Sequence, residues 1–434
     1  MSSLLLVPLH GVGSRQDLPL PFSLVVLGAA LTLLITFVLL LKAWREPRWA
    51  SPGGRPLPRF TQLLDSPALL WTGRVLALAV LCLALLALFA GPDLVSNPFP
   101  GFLFVWVWVG LVPISLLLGQ VWRRLSPLRT VLAWRAAHAP SAAALDRWGL
   151  YPAAMALLAF SWLELVQPDR ASTAVLKWWV VAFALWTLLP VLVRGGRWIT
   201  SSEPFEAFAT TVARLSPWHR HTGILHATHP LRHVASEPAP AGLWAVCCTL
   251  LAGTAFDSLS GGVWWVRSTQ TSELPGWLWG TIGLCGCLAV VVLTYLAGAT
   301  AVGRMSHGTQ NPPVFDSLAR SLIPIVAGYA LAHYATLLLI EGQRVAINLS
   351  DPLGRGDNWF GTAELGVNGA IYDWASAVAW AQVLFIVGGH VLGVAAAHDI
   401  AIRTLPQRHR VAAQVPLLLV MVGYTVAGLL LLFG

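Results

Sequence analysis

The chain has 434 residues, 56% of them apolar and 11% charged, with a mean hydropathy of +0.69. Soluble domains carry about 25% charged residues, so this composition excludes them and calls for a membrane protein that crosses the bilayer many times. The formal net charge is +8, but the positive residues fall between apolar runs, so the charge reports orientation in a bilayer and implies no nucleic-acid partner.

Apolar runs of about 20 residues, the length needed to cross about 30 Å of hydrocarbon, occur at 22–42, 73–91, 101–121, 151–167, 174–194, 242–258, 277–303, 319–341, 375–398 and 412–433. They predict an all-α, polytopic transmembrane bundle of about ten helices, forming one integral membrane domain over 1–434. The runs are too long for barrel strands and lack a two-residue alternation. Arg and Lys crowd into loops 42–68, 122–148 and 194–238, with Arg304, Arg403, Arg408 and Arg410 on the same side. Only Arg15, Arg170, Lys177, Arg267, Arg344 and Arg355 fall opposite. The crowded side is expected to be cytoplasmic, which puts both termini outside in a multi-pass protein of the cell membrane, read as a bacterial inner membrane.

Segment 1–21 is expected to be extracytoplasmic. Its Leu4–Val7 run is shorter than a signal-peptide core of about 7–15 apolar residues and lacks a basic start. Were His10 the first residue of a mature chain, its amine and imidazole could chelate a metal, and on that ground it is a metal candidate. Arg74 is placed to snorkel to the interface. Trp106 and Trp108, at an outer helix end, read as interfacial belt residues. The stretch Arg123–Arg129 is expected to lie along anionic headgroups.

Loop 194–238 is a cytoplasmic His- and Arg-rich segment holding His219, His221, His226, His229 and His233. The spacing His226-x-x-His229-x-x-x-His233 would suit a metal on a helix. Pro230 interrupts it and no Cys or carboxylate is read as close, so these are expected to be surface histidines. The cysteines Cys82, Cys247, Cys248, Cys285 and Cys287 lie in apolar spans and read as small hydrophobes.

The fourth and sixth spans end on Glu164 and Asp257, carboxylates at matching depth that point to an outward-facing polar site. The eighth carries His333, about 18 Å from its inner edge at 1.5 Å per residue. An ionisable group there reads as functional, because hydrocarbon cannot solvate it. Gln382 lies level with it on the ninth span, and His390 lies deeper by about 10 Å. His398 and Asp399 read as a solvated helix end. Loop 344–374 is expected to be an ordered extracytoplasmic cap. Its Asp351 and Asp357 miss the calcium-loop pattern. The candidate catalytic residues are therefore His333, Glu164, Asp257 and Glu341, and the candidate metal ligands are His333, His390 and His10. A divalent metal is a possible cofactor, assembled from separate helices, since neither His-x-His nor His-Glu-x-x-His occurs.

His10-Gly-Val-Gly-Ser-Arg-Gln-Asp-Leu-Pro-Leu-Pro, Trp162-Leu-Glu-Leu-Val, Thr254-Ala-Phe-Asp, Pro324-Ile-Val with Ala332-His-Tyr and Glu341-Gly-Gln, Ser350-Asp-Pro-Leu-Gly-Arg-Gly, and Gly389-His-Val-Leu-Gly with Ala397-His-Asp extend along nearly the whole chain. In these motifs the chain resembles a bacterial family of multi-spanning proteins known as fenitrothion hydrolases. The resemblance implies cleavage of the aryl–phosphorus ester of an apolar organophosphorus substrate at the inner membrane, with a second membrane subunit as a possible partner. It brings no set of catalytic residues. Two other readings stand beside it: a non-enzymatic membrane protein handling metal, haem or quinone through His333 and His390, and a transporter. The depth difference between those histidines counts against one shared haem, and no inverted repeat or pair of broken helices supports transport.

Overall fold

The computed structural model describes residues 17–18, 20–49, 51, 53–132, 147–305, 314–405 and 412–433. Among them, nine segments are long and apolar enough to cross a membrane: α1 Phe22–Ala43, α2 Pro67–Ala90, α3 Pro98–Leu118, α5 Thr173–Arg194, α9 Leu243–Ser260, α10 Gly276–Met305, α11 Ile323–Asn348, α12 Ala375–Thr404 and α13 Val415–Phe433. The fourth apolar run forms a shorter helix, α4 Tyr151–Leu165. Three short helices lie between α5 and α9: α6 Gly196–Ser202, α7 Pro204–Val212 and α8 Pro230–Ser236. Exposed Leu, Val and Trp side chains on α1, α2 and α5 supply the surface that lipid covers.

α4 is short, yet it runs alongside α9 in the same direction. Leu150 N donates to Ala241 O (2.8 Å) where both helices begin. Toward their far ends Gly253 admits Ser161, whose hydroxyl would stand 3.0 Å from a Cβ at that position. The two termini give an independent test of the number of crossings. Leu18 packs in one cluster with Leu429 and Phe433, and the Phe22 and Phe433 rings are 5.9 Å apart. The start of α1 and the end of α13 therefore lie at one end of the bundle, which an odd number of crossings between them does not allow.

The Arg-rich connections meet at the opposite end. β1 Arg55–Pro56 pairs antiparallel with β3 Ile224–Ala227, which pairs with β2 Trp218–His221 through a tight Thr222–Gly223 turn in which both residues have positive φ. Asp65 binds Arg124 and also Arg220, the latter at 2.7 Å, linking three of the connections, and the two guanidinium groups hold its carboxyl below its ordinary range. Arg320 (2.7 Å) and Arg403 both donate to the Ala235 carbonyl.

Several expectations need correction at this end. Segment 194–238 is mostly ordered and packed, not a loose loop: α6 and α7 are buried throughout almost their whole length. Glu203 caps α7, its carboxylate accepting from Phe205 N and Glu206 N, and Glu206 is gripped by Arg129 Nε and Nη2, at 2.5 and 2.6 Å. His398 and Asp399 are buried rather than solvated, because Trp44–Trp49 and Gln414 fold over them. His398 bonds Gln414 Oε1 (2.7 Å) and Trp44 O (3.0 Å), and Asp399 accepts from Arg48 N (2.8 Å). The histidine spacing 226–229–233 is broken across a strand and a helix, and His219 and His233 are buried.

Trp108 is not a belt residue. Residues Phe102–Val109 form a π-helical stretch within α3, and Trp108 turns inward to within 4.9 Å of the Phe160 and Phe208 rings. Trp106 is half-buried and donates to Gly342 O (2.9 Å). The long outer segment is shorter than its expected 344–374, because α11 continues to Asn348 and a 3-10 turn, Ala370–Trp374, leads into α12. Asp351 orders it by accepting from Arg355 N (2.9 Å) and Gly356 N (2.8 Å), which lowers its carboxyl pKa, and Gly354 rests against Pro92.

Helices α11 and α12 pack backbone to backbone through glycines. A Cβ on Gly328 would stand 2.4 Å from Phe385 O, one on Gly389 2.6 Å from Pro324 O, and one on Gly393 2.8 Å from Ser321 O. Close small-residue contacts of this kind replace the hydrophobic effect as the source of helix association in lipid. They fix the rotation of α11, and with it the direction in which His333 projects.

Candidate functional site

The end of α9 supplies Asp257 and Ser258, and one face of α11 supplies Tyr329 and His333 at i, i+4, with Tyr334 beside them. His333 Nε2 lies 2.9 Å from Asp257 Oδ2, and its Nδ1 lies 3.2 Å from Ser258 Oγ. Ser258 Oγ is 3.0 Å from the Tyr329 hydroxyl, and the Tyr334 hydroxyl donates to Asp257 Oδ2 at 2.8 Å. The imidazole lies parallel to the Tyr329 ring, 6.2 Å away, and edge-on to Tyr334 at 4.5 Å.

The protons of this row can be allotted completely. With a neutral imidazole, Nε2–H donates to Asp257, Ser258 donates to the Nδ1 lone pair, and Tyr329 donates to Ser258. With an imidazolium facing a carboxylate, the same contacts hold with the Ser258 and Tyr329 donors reversed. His333 is 6% exposed, whereas the Asp257 side chain keeps 15% of its surface. The row is thus sealed at the imidazole and reachable at the carboxylate.

Glu164 joins this neighbourhood: it is buried at the end of α4 and within electrostatic range of Asp257 and Arg170, and its carbonyl accepts from Arg170 Nη1. Glu341 does not join. It stands about 12 Å further along α11 at 1.5 Å per residue, paired with Arg344 at 2.8 Å. His390 is separate as well: its Nδ1 donates to Ile386 O (2.8 Å), and its buried Nε2 has no hydrogen-bond partner among the described residues. Both nitrogens of His333 are engaged by Asp257 and Ser258, so the structure brings no metal set together from His333 and His390. His10 lies outside the described residues.

Ser258, Tyr329 and Tyr334 were missed by sequence reasoning. The signals were present in the adjacency of Ser258 to Asp257 and in the four-residue spacing of Tyr329 and His333. Next to the row is a small cavity with Tyr334, Thr254, Trp108, Phe208 and Val326 among its walls. The Trp108 indole N–H is buried and without a hydrogen-bond partner among the described residues. A buried donor of this kind is ordinarily satisfied by water or a ligand group.

The fold and this site define a polytopic α-helical membrane protein with a buried Ser–His–Asp hydrogen-bond row in the half of the bundle away from the Arg-rich connections. No protein-family model matches the chain, and no curated protein or solved structure matches it either.

Proposed function

We propose that this protein is a membrane-embedded hydrolase of apolar esters in which His333 acts as general base. The observation that carries the reading is the row Asp257–His333–Ser258: a carboxylate fixes the imidazole tautomer and leaves the other nitrogen facing a hydroxyl. This is the base-and-orienter logic of hydrolytic sites, recognised by roles rather than by residue order. Ser258 is the candidate nucleophile, Asp257 orients and stabilises the imidazolium, and the Tyr334 hydroxyl shares the Asp257 charge. The resemblance to fenitrothion hydrolases supports organophosphorus triesters as the substrate class, a bacterial inner membrane as the location, and a second membrane subunit as a partner. Membranes containing the protein should release nitrophenolate from a nitrophenyl phosphotriester, and His333→Gln should lower turnover per folded molecule about a hundredfold or more, as loss of a general base does. Turnover unchanged in His333→Gln removes the site from consideration.

A second reading, a proton-coupled carrier, is favoured by the two proton arrangements that the same row admits. Proton uptake into proteoliposomes with no ester cleavage would decide for it.

A further inference from the structure

The Arg-rich end carries a second group of chemistry-bearing side chains, on different elements from the His333 row. β2 contributes His219. α8 is capped by His229, whose Nδ1 accepts from Leu231 N (3.3 Å), and presents His233 and, at its end, Glu237 one turn apart on one face. The His219 and His233 ring centroids are 4.3 Å apart. Glu237 Oε1 lies 3.4 Å from His219 Nδ1, and Oε2 lies 3.7 Å from His233 Nε2. One nitrogen or oxygen atom from each residue falls within 4.8 Å of the others.

His219 is 4% exposed and His233 is 2% exposed, yet His219 Nε2 and both ring nitrogens of His233 have no hydrogen-bond partner among the described residues. Buried imidazole nitrogens are ordinarily bonded, and leaving one unsatisfied costs about 1–3 kcal/mol. The separations of 3.4 and 3.7 Å are long for hydrogen bonds. They are close to the spacing of about 3.4 Å between two ligands each about 2.0–2.1 Å from a tetrahedral ion. Arg214, a cation that also acts on Glu237, donates to the Pro238 carbonyl (3.1 Å).

We propose that His219, His233 and Glu237 form a binding site for one divalent first-row transition ion, with Zn2+ the best match to two imidazoles and a carboxylate. Imidazole donors disfavour Mg2+ and Ca2+, which take oxygen ligands. The two rings close the buried side of the site, and the half-exposed carboxylate leaves a fourth position toward solvent. A bound ion ties β2 to α8. Because Arg320 and Arg403 hold Ala235 of α8, it also ties the sheet that joins the Arg-rich connections to α11 and α12.

The test uses full-length protein purified in detergent, stripped with a chelator and titrated with Zn2+ against a chromophoric competitor, with bound metal counted by mass spectrometry. Wild type should retain about one Zn2+ per chain. Glu237→Gln, which keeps the shape of a partly exposed side chain, and His219→Asn should each weaken binding about a hundredfold, since loss even of outer-shell partners typically costs about 10–100-fold. Two neighbours serve as controls: exposed His221→Ala and half-buried His226→Ala should stay within about threefold of wild type, because their rings lie outside the triad. A wild-type protein that holds no Zn2+, or one whose Zn2+ affinity survives both Glu237→Gln and His219→Asn, overturns the proposal. The thermal midpoint of each variant without metal shows that it is folded, so loss of binding is separated from loss of structure.

Discussion

Asp257→Asn separates chemistry from packing at the His333 row. Asp257 Oδ2 accepts two hydrogen bonds, from His333 Nε2 and from the Tyr334 hydroxyl. Asparagine can put its carbonyl oxygen in the same place and accept both, so no cavity opens. The stability cost is then the difference between charged and neutral acceptors, about 1 kcal/mol per bond and about 2 kcal/mol in total. Asp257→Ala instead strands two buried donors at about 1–3 kcal/mol each, or about 2–6 kcal/mol. Turnover is expected to follow another scale. Without the carboxylate the imidazolium loses its counter-charge, and turnover should fall about a hundredfold or more, which raises the barrier by about 2.7 kcal/mol. The assay is nitrophenolate release by membranes, normalised to the folded fraction measured by size-exclusion chromatography. If the row serves packing alone, the two variants will differ in folded yield and share the wild-type turnover per folded molecule. Turnover of Asp257→Asn within about threefold of wild type would refute the assignment of His333 as base.

Three further outcomes follow from the fold. Gly328→Ala drives a methyl group to 2.4 Å from Phe385 O, and should cost about 1–3 kcal/mol, read as a lower thermal midpoint; an unchanged midpoint would show that α11 and α12 are not locked at this contact. Burial, and after it the nearby Glu206, pushes the Glu203 carboxyl up to about 7. The folded state therefore keeps a proton that the unfolded chain releases from about pH 4.5, so stability should fall as pH rises from there to about 7 and level off above, by about 3 kcal/mol. Thermal midpoints across that range should show the slope in wild type and a flatter profile in Glu203→Gln; equal profiles would sink this reading. A reporter fused at Gly434 should be active only if it functions outside the cytoplasm, and one at Ser236 only if it functions inside; a cytoplasmic Gly434 would overturn the orientation read from the Arg-rich connections.

Depth in the bilayer was legible in the sequence, and rotation about each helix axis was not. A hydrocarbon core of fixed thickness sets the length of every run, so the ten crossings could be placed, and Glu164, Asp257 and His333 stood out because ionisable groups inside such runs are costly. A lipid-facing surface and a protein-facing surface are equally apolar, so the pattern does not say which way a residue turns. Trp108 shows the consequence: a tryptophan at the end of a run reads the same whether it lies at the interface or, as here, against Phe160 and Phe208. Ser258 and Tyr329 were likewise ordinary helix residues until the rotations of α9 and α11 were known.

Outside the bilayer the obstacle is different. His219 reaches His233 only because a hairpin folds back onto α8, and Asp399 is buried only because Trp49, remote in sequence, covers it. Such sites depend on contacts between distant segments, which no local spacing encodes. The one local trace, His233-x-x-x-Glu237, becomes informative only once α8 is known to start at Pro230 rather than upstream. The two sites differ in kind accordingly: the His333 row already satisfies its own nitrogens and so is suited to moving protons, whereas the His219–His233–Glu237 cluster leaves three of its four ring nitrogens without a hydrogen-bond partner among the described residues and so is suited to an ion. A base must be able to give its proton back, and a ligand must have a lone pair to spare; the hydrogen-bond accounting at each end of the bundle separates these two requirements.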